Sequence, residues 1–339
     1  MATIYDVAEA AGVSAKTVSR VLNGDAPVSD ATRRAVEGAI GRLGYVRSNA
    51  ARSMRGGRSG LVGLVTGAFS AEDANPGRSG LPEIEIVRGI EETLREAGRL
   101  LVVADTGGRA EAAAGLMRSF AEHRVEAVIH VAPHHRKVEG LPAAGAAVIA
   151  NGFDGAGTPS VVPDDYAGQR ALTERLIAEG HRRIAYLALE PEMVATQERS
   201  RGYLDALTDA GIAFDPELLG TGDWNAEDGR AALSAAVDAL LSLDERPSVI
   251  CAGNDALALR LYGMLRVRGL RIPKDLSVAG YDDHRLISET LHPGLTTVRL
   301  PYRRIGRAAA RLVLDQAPPG PPIRIAGELR WRGSVAPIR

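Results

Sequence analysis

A change of hydrophobic period near residue 56 divides this chain of 339 residues into two kinds of structure. Before it, apolar residues recur at helical spacing, and short helices are separated by Gly and Ser/Asp signals. After Gly56-Gly57-Arg58-Ser59-Gly60, strand-like apolar runs alternate with helical patterns of 12–17 residues. Strands are predicted at 61–65, 100–104, 126–131, 146–150, 183–189, 248–252, 276–280 and 323–329. Helices are predicted at 83–97, 111–123, 165–179, 197–210, 226–241, 254–268 and 302–315. Such alternation predicts doubly wound parallel α/β sheets with helices on both faces. About 280 residues exceed one ordinary sheet, so two similar lobes are expected.

Charge divides at the same place. The net charge of −1 argues superficially against a polyanionic partner. Yet residues 1–59 carry nine basic and five acidic side chains, a net +4, which leaves −5 on the remainder. A basic head on an acidic body directs only the head toward a polyanion. The single cysteine, Cys251, excludes a disulfide framework and a Cys-rich zinc site. The first residues lack a basic and an apolar export region, and the apolar runs are far shorter than the roughly 20 residues that span a bilayer. A cytoplasmic protein without membrane contact is expected.

Within the head, Thr3 is a candidate N-cap for a helix from Ile4 to about Ala11, with Ile4, Val7, Ala8 and Ala11 on one face. Gly12 suits a left-handed C-cap. Val13 is expected to plug the core, and Ser14 to cap a second helix that buries Val18, Val21 and Leu22 and ends at Asn23-Gly24. A third helix from about Asp30 to Leu43 turns Ala35, Val36, Ala39, Ile40 and Leu43 to the core. Two short helices joined by a tight Gly turn, the second polar and basic in its first half, form a DNA-reading unit. Lys16 carries weight here because the chain has three lysines against 38 arginines.

The run Thr3-Ile-Tyr-Asp-Val-Ala-Glu-Ala-Ala-Gly-Val-Ser-Ala-Lys-Thr-Val-Ser-Arg-Val-Leu-Asn23 resembles the N-terminal signature of the lactose/galactose repressor (LacI/GalR) family. The match continues through Val28-Ser29, Thr32-Arg33 and Leu43-Gly44-Tyr45. The resemblance implies base readout by Ala15, Lys16 and Arg20. It implies phosphate contacts from Thr3, Tyr5, Ser14, Thr17, Ser19 and Asn23, with Tyr45 also in the DNA-binding set. Residues 47–59 would be a hinge and linker, in which Ser48–Arg55 orders on the operator. Met54 stands where the family wedges a leucine into the central base step, an insertion that costs about a few kcal/mol in lost stacking. The family fold is a helix-turn-helix headpiece (1–46) plus a two-lobed, periplasmic-binding-protein-like core (60–339). Lobe 1 would hold 60–162 and 293–320, and lobe 2 would hold 163–292 and 321–339. The crossings would lie near Val162-Pro163, Thr290–Pro293 and Gly320–Pro322.

Ligands of open α/β lobes sit beyond the carboxyl ends of the strands. Trp224, Asn151, Arg199, Asn254-Asp255 and Asp282-Asp283 fall at such positions, a set suited to a polyhydroxylated ligand. Each also has a plain reading: Asp or Asn after a strand caps the next helix, and a lone Trp packs in a core. The resemblance favours the ligand role for Asn151, Arg199, Trp224, Asn254 and Asp282. Arg199-Ser-Arg-Gly-Tyr203 carries the family's effector arginine. The chain departs from the family in the long Gly67–Pro82 segment, in Asn151 where many sugar-responsive members have Asp, and in Glu190-Pro191 for Gly-Pro.

The expected function is a repressor of a carbohydrate-utilisation operon. It binds a pseudo-palindromic operator as a homodimer, needs no cofactor, and is released by a sugar-like effector. Alternatives are a co-repressor-dependent regulator answering to a nucleobase, nucleoside or partner protein, and a stand-alone sugar-binding protein, which the head disfavours. No phosphate-binding loop, zinc-protease or nucleophile-elbow motif is present, so enzyme readings fare poorly. His130, His134 and His135 lack the carboxylate a metal site would need. The absence of a heptad tail after the last strand predicts a dimer rather than a coiled-coil tetramer. Replacing Met54 by Gly is expected to weaken binding to the specific operator in a DNA shift assay; unchanged affinity would remove the wedge.

Overall fold

Local caps set the head. Thr3 Oγ1 accepts the Asp6 N–H at 3.3 Å while the Asp6 carboxylate accepts the Thr3 N–H at 2.7 Å, a reciprocal cap that starts α1 (Ile4–Ala10). Ser14 accepts the Thr17 N–H at 3.1 Å to start α2 (Ala15–Asn23), and Ser29 accepts that of Thr32 at 3.2 Å to start α3 (Asp30–Leu43). Gly24 and Gly44 end α2 and α3 in left-handed conformations, which cost a glycine nothing. Val7, Ala8, Val18, Val21, Val36 and Ala39 form the shared core. Val13, Leu22 and Ile40 pack against it. Ala35 and Leu43, expected inside, lie exposed, because the buried stripe of α3 centres on Val36 and Ala39 and these two sit at its margins.

The computed structural model describes residues 2–24, 27–46, 59–70, 81–109, 111–140, 146–222, 224 and 228–338. The expected hinge helix with Met54, and most of the Gly67–Pro82 segment, lie outside the described residues. The chain divides into two units, Met1–Ser59 and Gly60–Arg339.

In the second unit, β1 (Leu61–Thr66), β2 (Leu100–Asp105), β3 (Ala127–Lys137), β4 (Ala146–Phe153), β5 (Ser160–Asp164) and a later strand, β11 (Ile323–Ala326), form one parallel sheet. Its order is β11-β5-β4-β3-β1-β2. Helices α4 (Leu81–Glu96) and α11 (Tyr302–Leu314) cover one face through Ile86, Ile90, Ile305 and Ala309. Helix α5 (Ala112–Glu122) covers the other through Met117 and Phe120. Full burial of each such large side chain contributes about 1.5–3 kcal/mol.

The second lobe repeats the plan. The strands β6 (Ile184–Ala188), β7 (Leu219–Thr221), β8 (Val249–Ala252) and β9 (Ser277–Ala279) run in the order β7-β6-β8-β9. Helices α6 (Asp165–Ala178) and α7 (Val194–Asp209) pack on one face, while α8 (Gly229–Ser242) and α9 (Asp255–Val267) pack on the other. A short helix, α10 (Arg285–Ser288), follows. Strand β10 (Thr297–Arg299) pairs antiparallel with β12 (Glu328–Arg330). Each sheet reverses direction of winding next to its first strand, between β1 and β3 and between β6 and β8. Those reversals open crevices at the carboxyl ends.

Two expected crossings are displaced. The chain leaves lobe 1 at Asp164-Asp165, within two residues of expectation. It returns after Arg299, because Leu295 and Val298 bury in lobe 2 cores, and leaves again at Gly327, because β11 pairs with β5. Residues 293–299 therefore belong with lobe 2, and 321–326 with lobe 1. The single strand expected at 323–329 breaks at Gly327, where a Cβ would press on the Arg299 carbonyl at 2.8 Å. Strands β5, β7 and β10 were not foreseen: the last two are three residues long, and Pro163 argues against a strand. Among the described residues no helix is long and apolar enough to cross a membrane.

Helices α4 and α11 meet glycine to backbone. A Cβ on Gly306 would collide with the Ile86 carbonyl, and one on Gly89 with that of Arg303. Gly306→Val is expected to destabilise by about 1–3 kcal/mol or more through overpacking. Gly263→Ala, in open space on α9, should be neutral or stabilising. Thermal melts of the two variants check the contrast.

Candidate functional site

The head presents one polar face. Capping Ser14 aims α2 so that Val18 and Val21 turn inward, and the 3.6-residue period then turns Lys16 and Arg20 outward. Both are exposed, and among the described residues neither makes an ion pair. Thr17 holds the Ser14 hydroxyl at 2.9 Å, and Asn23 Nδ2 donates to Ser19 Oγ at 3.4 Å. Ala15, Thr17 and Ser19 are half-buried, whereas Thr3, Ser14 and Asn23 are exposed, as is Tyr5 at 73%. Tyr45 is half-buried against the core. The head thus offers hydroxyl, amide, ammonium and guanidinium donors on a rigid helix pair, the groups that grip phosphates and read base edges.

Between the lobes lies a cleft of about 1750 Å³, lined by the carboxyl ends of strands from both sheets. Arg199, on α7, lies on its floor. Its Nε donates to Asp165 Oδ1 at 2.7 Å, its Nη1 to the Gly253 carbonyl at 2.7 Å, and its plane stacks on Tyr281 at 3.8 Å. Asp165 also accepts from His135 Nδ1 at 2.8 Å. Burial raises the Asp165 carboxyl, but Arg199 and His135 together pull it below its ordinary value. Asp282 stands 3.8 Å from Arg199 Nη2. Burial pushes Asp282 up to about 7; Arg199 opposes that shift and the charge of Asp165 adds to it. Buried Asp255 is likewise raised, by burial and then by Asp282. Asp283 is lowered, since Ser288, Arg332 and Arg299 outweigh its burial. His130 falls to about 4 through burial and the nearby Arg136, so it is neutral at physiological pH.

Four of the five expected effector residues line this cleft: Asn151, Arg199, Asn254 and Asp282. Asn151 has a left-handed backbone, φ 61°, and donates from Nδ2 to the Ala132 carbonyl at 3.0 Å. Asn254 Oδ1 caps α9 by accepting the Leu257 N–H at 2.8 Å, so the capping reading and the cleft position hold together. Trp224 does not line it. The residue is 6% exposed, in a cluster with Leu187, Leu233 and Leu257, and its Nε1 donates to the Ala188 carbonyl at 2.6 Å. An indole that finds both an apolar seat and an acceptor inside its own lobe is a core residue. Among the described residues no group of three His, Cys, Asp or Glu could hold a metal ion. The histidine cluster instead supplies His135 to Asp165. Asp165 carries no local sequence signal, because its partners lie 30 and 34 residues away.

A helix-turn-helix head and a two-lobed core with a cleft at its switch points define a ligand-responsive regulator of transcription. Residues 3–48 match the bacterial regulatory proteins of the lacI family, and residues 173–335 match the periplasmic binding protein-like domain. The chain is 36% identical over 331 residues to the HTH-type transcriptional regulator CelR of Thermobifida fusca, covering 93% of this chain and 91% of that one. It is 33% identical over 324 residues to the HTH-type transcriptional repressor PurR of Aliivibrio fischeri strain MJ11, covering 93% and 92%. Among solved structures it is similar to a Lac repressor dimer bound to operator and the anti-inducer ONPF, with a TM-score of 0.81 at 28% identity over 99% of both chains. It is also similar to a CelR–cellobiose complex, with a TM-score of 0.64 at 32% identity over 98% of this chain and all of that one. The chain belongs to the lacI family of bacterial regulatory proteins.

Because the Asp282 carboxyl titrates near 7 when folded and near its ordinary 3.8 when unfolded, the folded state binds the extra proton between those values. This contribution to stability is full below about pH 4 and is lost as pH rises through about 7. Asp282→Asn removes it. The melting temperature of the variant minus that of the wild type is therefore expected to increase across this window; a constant difference would contradict the shift.

Proposed function

We propose that this chain is a repressor that binds a pseudo-palindromic operator as a homodimer and releases it when a small sugar closes the cleft. The observation that carries the reading is the presence, in one chain, of an outward polar and basic α2 and an inter-lobe cleft floored by Arg199. Ala15, Lys16 and Arg20 read bases. Thr3, Tyr5, Ser14, Thr17, Ser19, Asn23 and Tyr45 hold phosphates and fix register, and Met54 wedges the central step. Asn151, Arg199, Asn254 and Asp282 grip the effector, while Trp224 shapes the lobe behind them.

Amide and carboxylate groups on two lobes suit adjacent hydroxyls, one donating and one accepting at each contact. The solved structure of a CelR–cellobiose complex supports a sugar, and the dimeric Lac repressor supports two-fold assembly. The relatives it matches, regulators of transcription that bind DNA, support a cleft that holds its ligand rather than one that transforms it. Acting on the chromosome, the protein works in the cytoplasm.

Closure couples to DNA because three chain crossings join the lobes, so a ligand held by both changes their relative angle. Such coupling is typically worth about 1–3 kcal/mol, or 5–150-fold in operator affinity. Titration calorimetry against mono- and disaccharides including cellobiose, combined with an operator shift assay, tests the reading. A binding sugar is expected to loosen the operator complex; tightening would make it a co-repressor, and failure of every sugar would remove the sugar class. Lys16→Ala is expected to cost about 1–3 kcal/mol at its base and to relax specificity there, whereas Ser14→Ala should weaken all sequences evenly.

A further inference from the structure

Three buried side chains connect the floor of the cleft to the opposite lobe. Arg199 belongs to α7 of lobe 2. Its Nε donates to one oxygen of Asp165, at the first crossing, and the second oxygen accepts Nδ1–H from His135. His135 belongs to β3, inside the lobe 1 sheet. All three are buried, at 6%, 0% and 3% exposure. An ionised carboxylate can only accept, so this contact assigns the His135 proton to Nδ1. A second tie lies one residue away on α7. There Glu198 accepts from both terminal nitrogens of Arg324, on β11 of lobe 1, at 3.1 and 3.3 Å.

Arg199 is therefore fixed before any ligand arrives. Asp165 holds its Nε, Gly253 holds Nη1, and Tyr281 covers its face, leaving one edge toward Asp282 and the cleft. A guanidinium on a free stem would lose rotamer freedom on binding, whereas a held one presents its fork ready. We propose that Asp165 and His135 are positioning residues for the effector, holding Arg199 in register and tying it to lobe 1, so that the fit of a ligand at one guanidinium is felt by both lobes. This rests on the cleft being the effector site.

The test uses the full chain with His135→Ala and His135→Asn. Asparagine keeps an N–H near the Nδ1 position and so can still donate to Asp165. Spin labels on Glu139→Cys and Leu286→Cys, exposed residues on opposite sides of the cleft, report lobe separation with no ligand present. The native Cys251 is buried and stays unlabelled. His135→Ala should shift or broaden the label distance, and His135→Asn should restore it. With cellobiose as probe, calorimetry should read about a tenfold loss of affinity for His135→Ala, the scale of one charge-assisted hydrogen bond, with recovery in His135→Asn. An unchanged label distance in His135→Ala, or no recovery in His135→Asn at equal melting temperature, overturns the proposal. Should the wild type ignore cellobiose, the choice of that sugar fails by itself, and the label distances still decide whether the tie exists.

Discussion

The buried ion pair between Arg199 and Asp165 is the interaction around which the core is arranged. A charge taken out of water costs several kcal/mol unless it is paired and its remaining hydrogen-bonding capacity is met. Here it is met from several directions: the Gly253 carbonyl, the Tyr281 ring, His135, and Asp282 at longer range. Glycines make the room. A Cβ on Gly168 would strike the Tyr281 hydroxyl, and one on Gly280 would strike Asp255. The polar floor and the close packing beneath it are thus one construction, since neither the tyrosine nor the carboxylates could approach otherwise.

That pair gains meaning from where the chain crosses between lobes. Asp165 starts α6 directly after β5, at the first crossing, and β10 and β12 form the ribbon beside the other two. Asp282 lies next to that ribbon: its N–H donates to the Val298 carbonyl, and its own carbonyl accepts from Leu300. The residues that would hold a ligand are therefore attached to the segments that must bend for the lobes to move. Binding and lobe geometry share a backbone, which is the physical basis for a regulator whose signal is a change of shape.

Legibility in the sequence followed the range of the forces involved. The longer helices were readable to within about three residues, because start and stop signals such as the Thr3 and Ser14 caps and the Gly24 stop are local, whereas the four-residue α10 was not. The long central strands were readable as apolar runs. Strands β7 and β10 were not, because three residues carry no period and become strands only by pairing. Asn151, Asn254 and Asp282 were found at strand ends, where α/β topology puts functional groups. The inward turn of Trp224 was not legible, because rarity and loop position say nothing about which side of a loop a ring faces. The contact of His135 with Asp165 carries no local signal, because the two residues lie 30 positions apart.

The sequence by itself determined the division at residue 59, the capped helices of the head with their outward Lys16 and Arg20, and the alternation that makes a doubly wound core. These depend on contacts within a few residues or on periodicity, and both are written in the order of the chain. Only the tertiary structure decided that β11 joins lobe 1 while β10 and β12 stay with lobe 2, that Trp224 turns inward, and that His135, Asp165 and Arg199 form one buried line across the cleft. Those outcomes depend on pairing and burial between segments 30 to more than 150 residues apart, where the free energy lies in a fit between surfaces that no local pattern records.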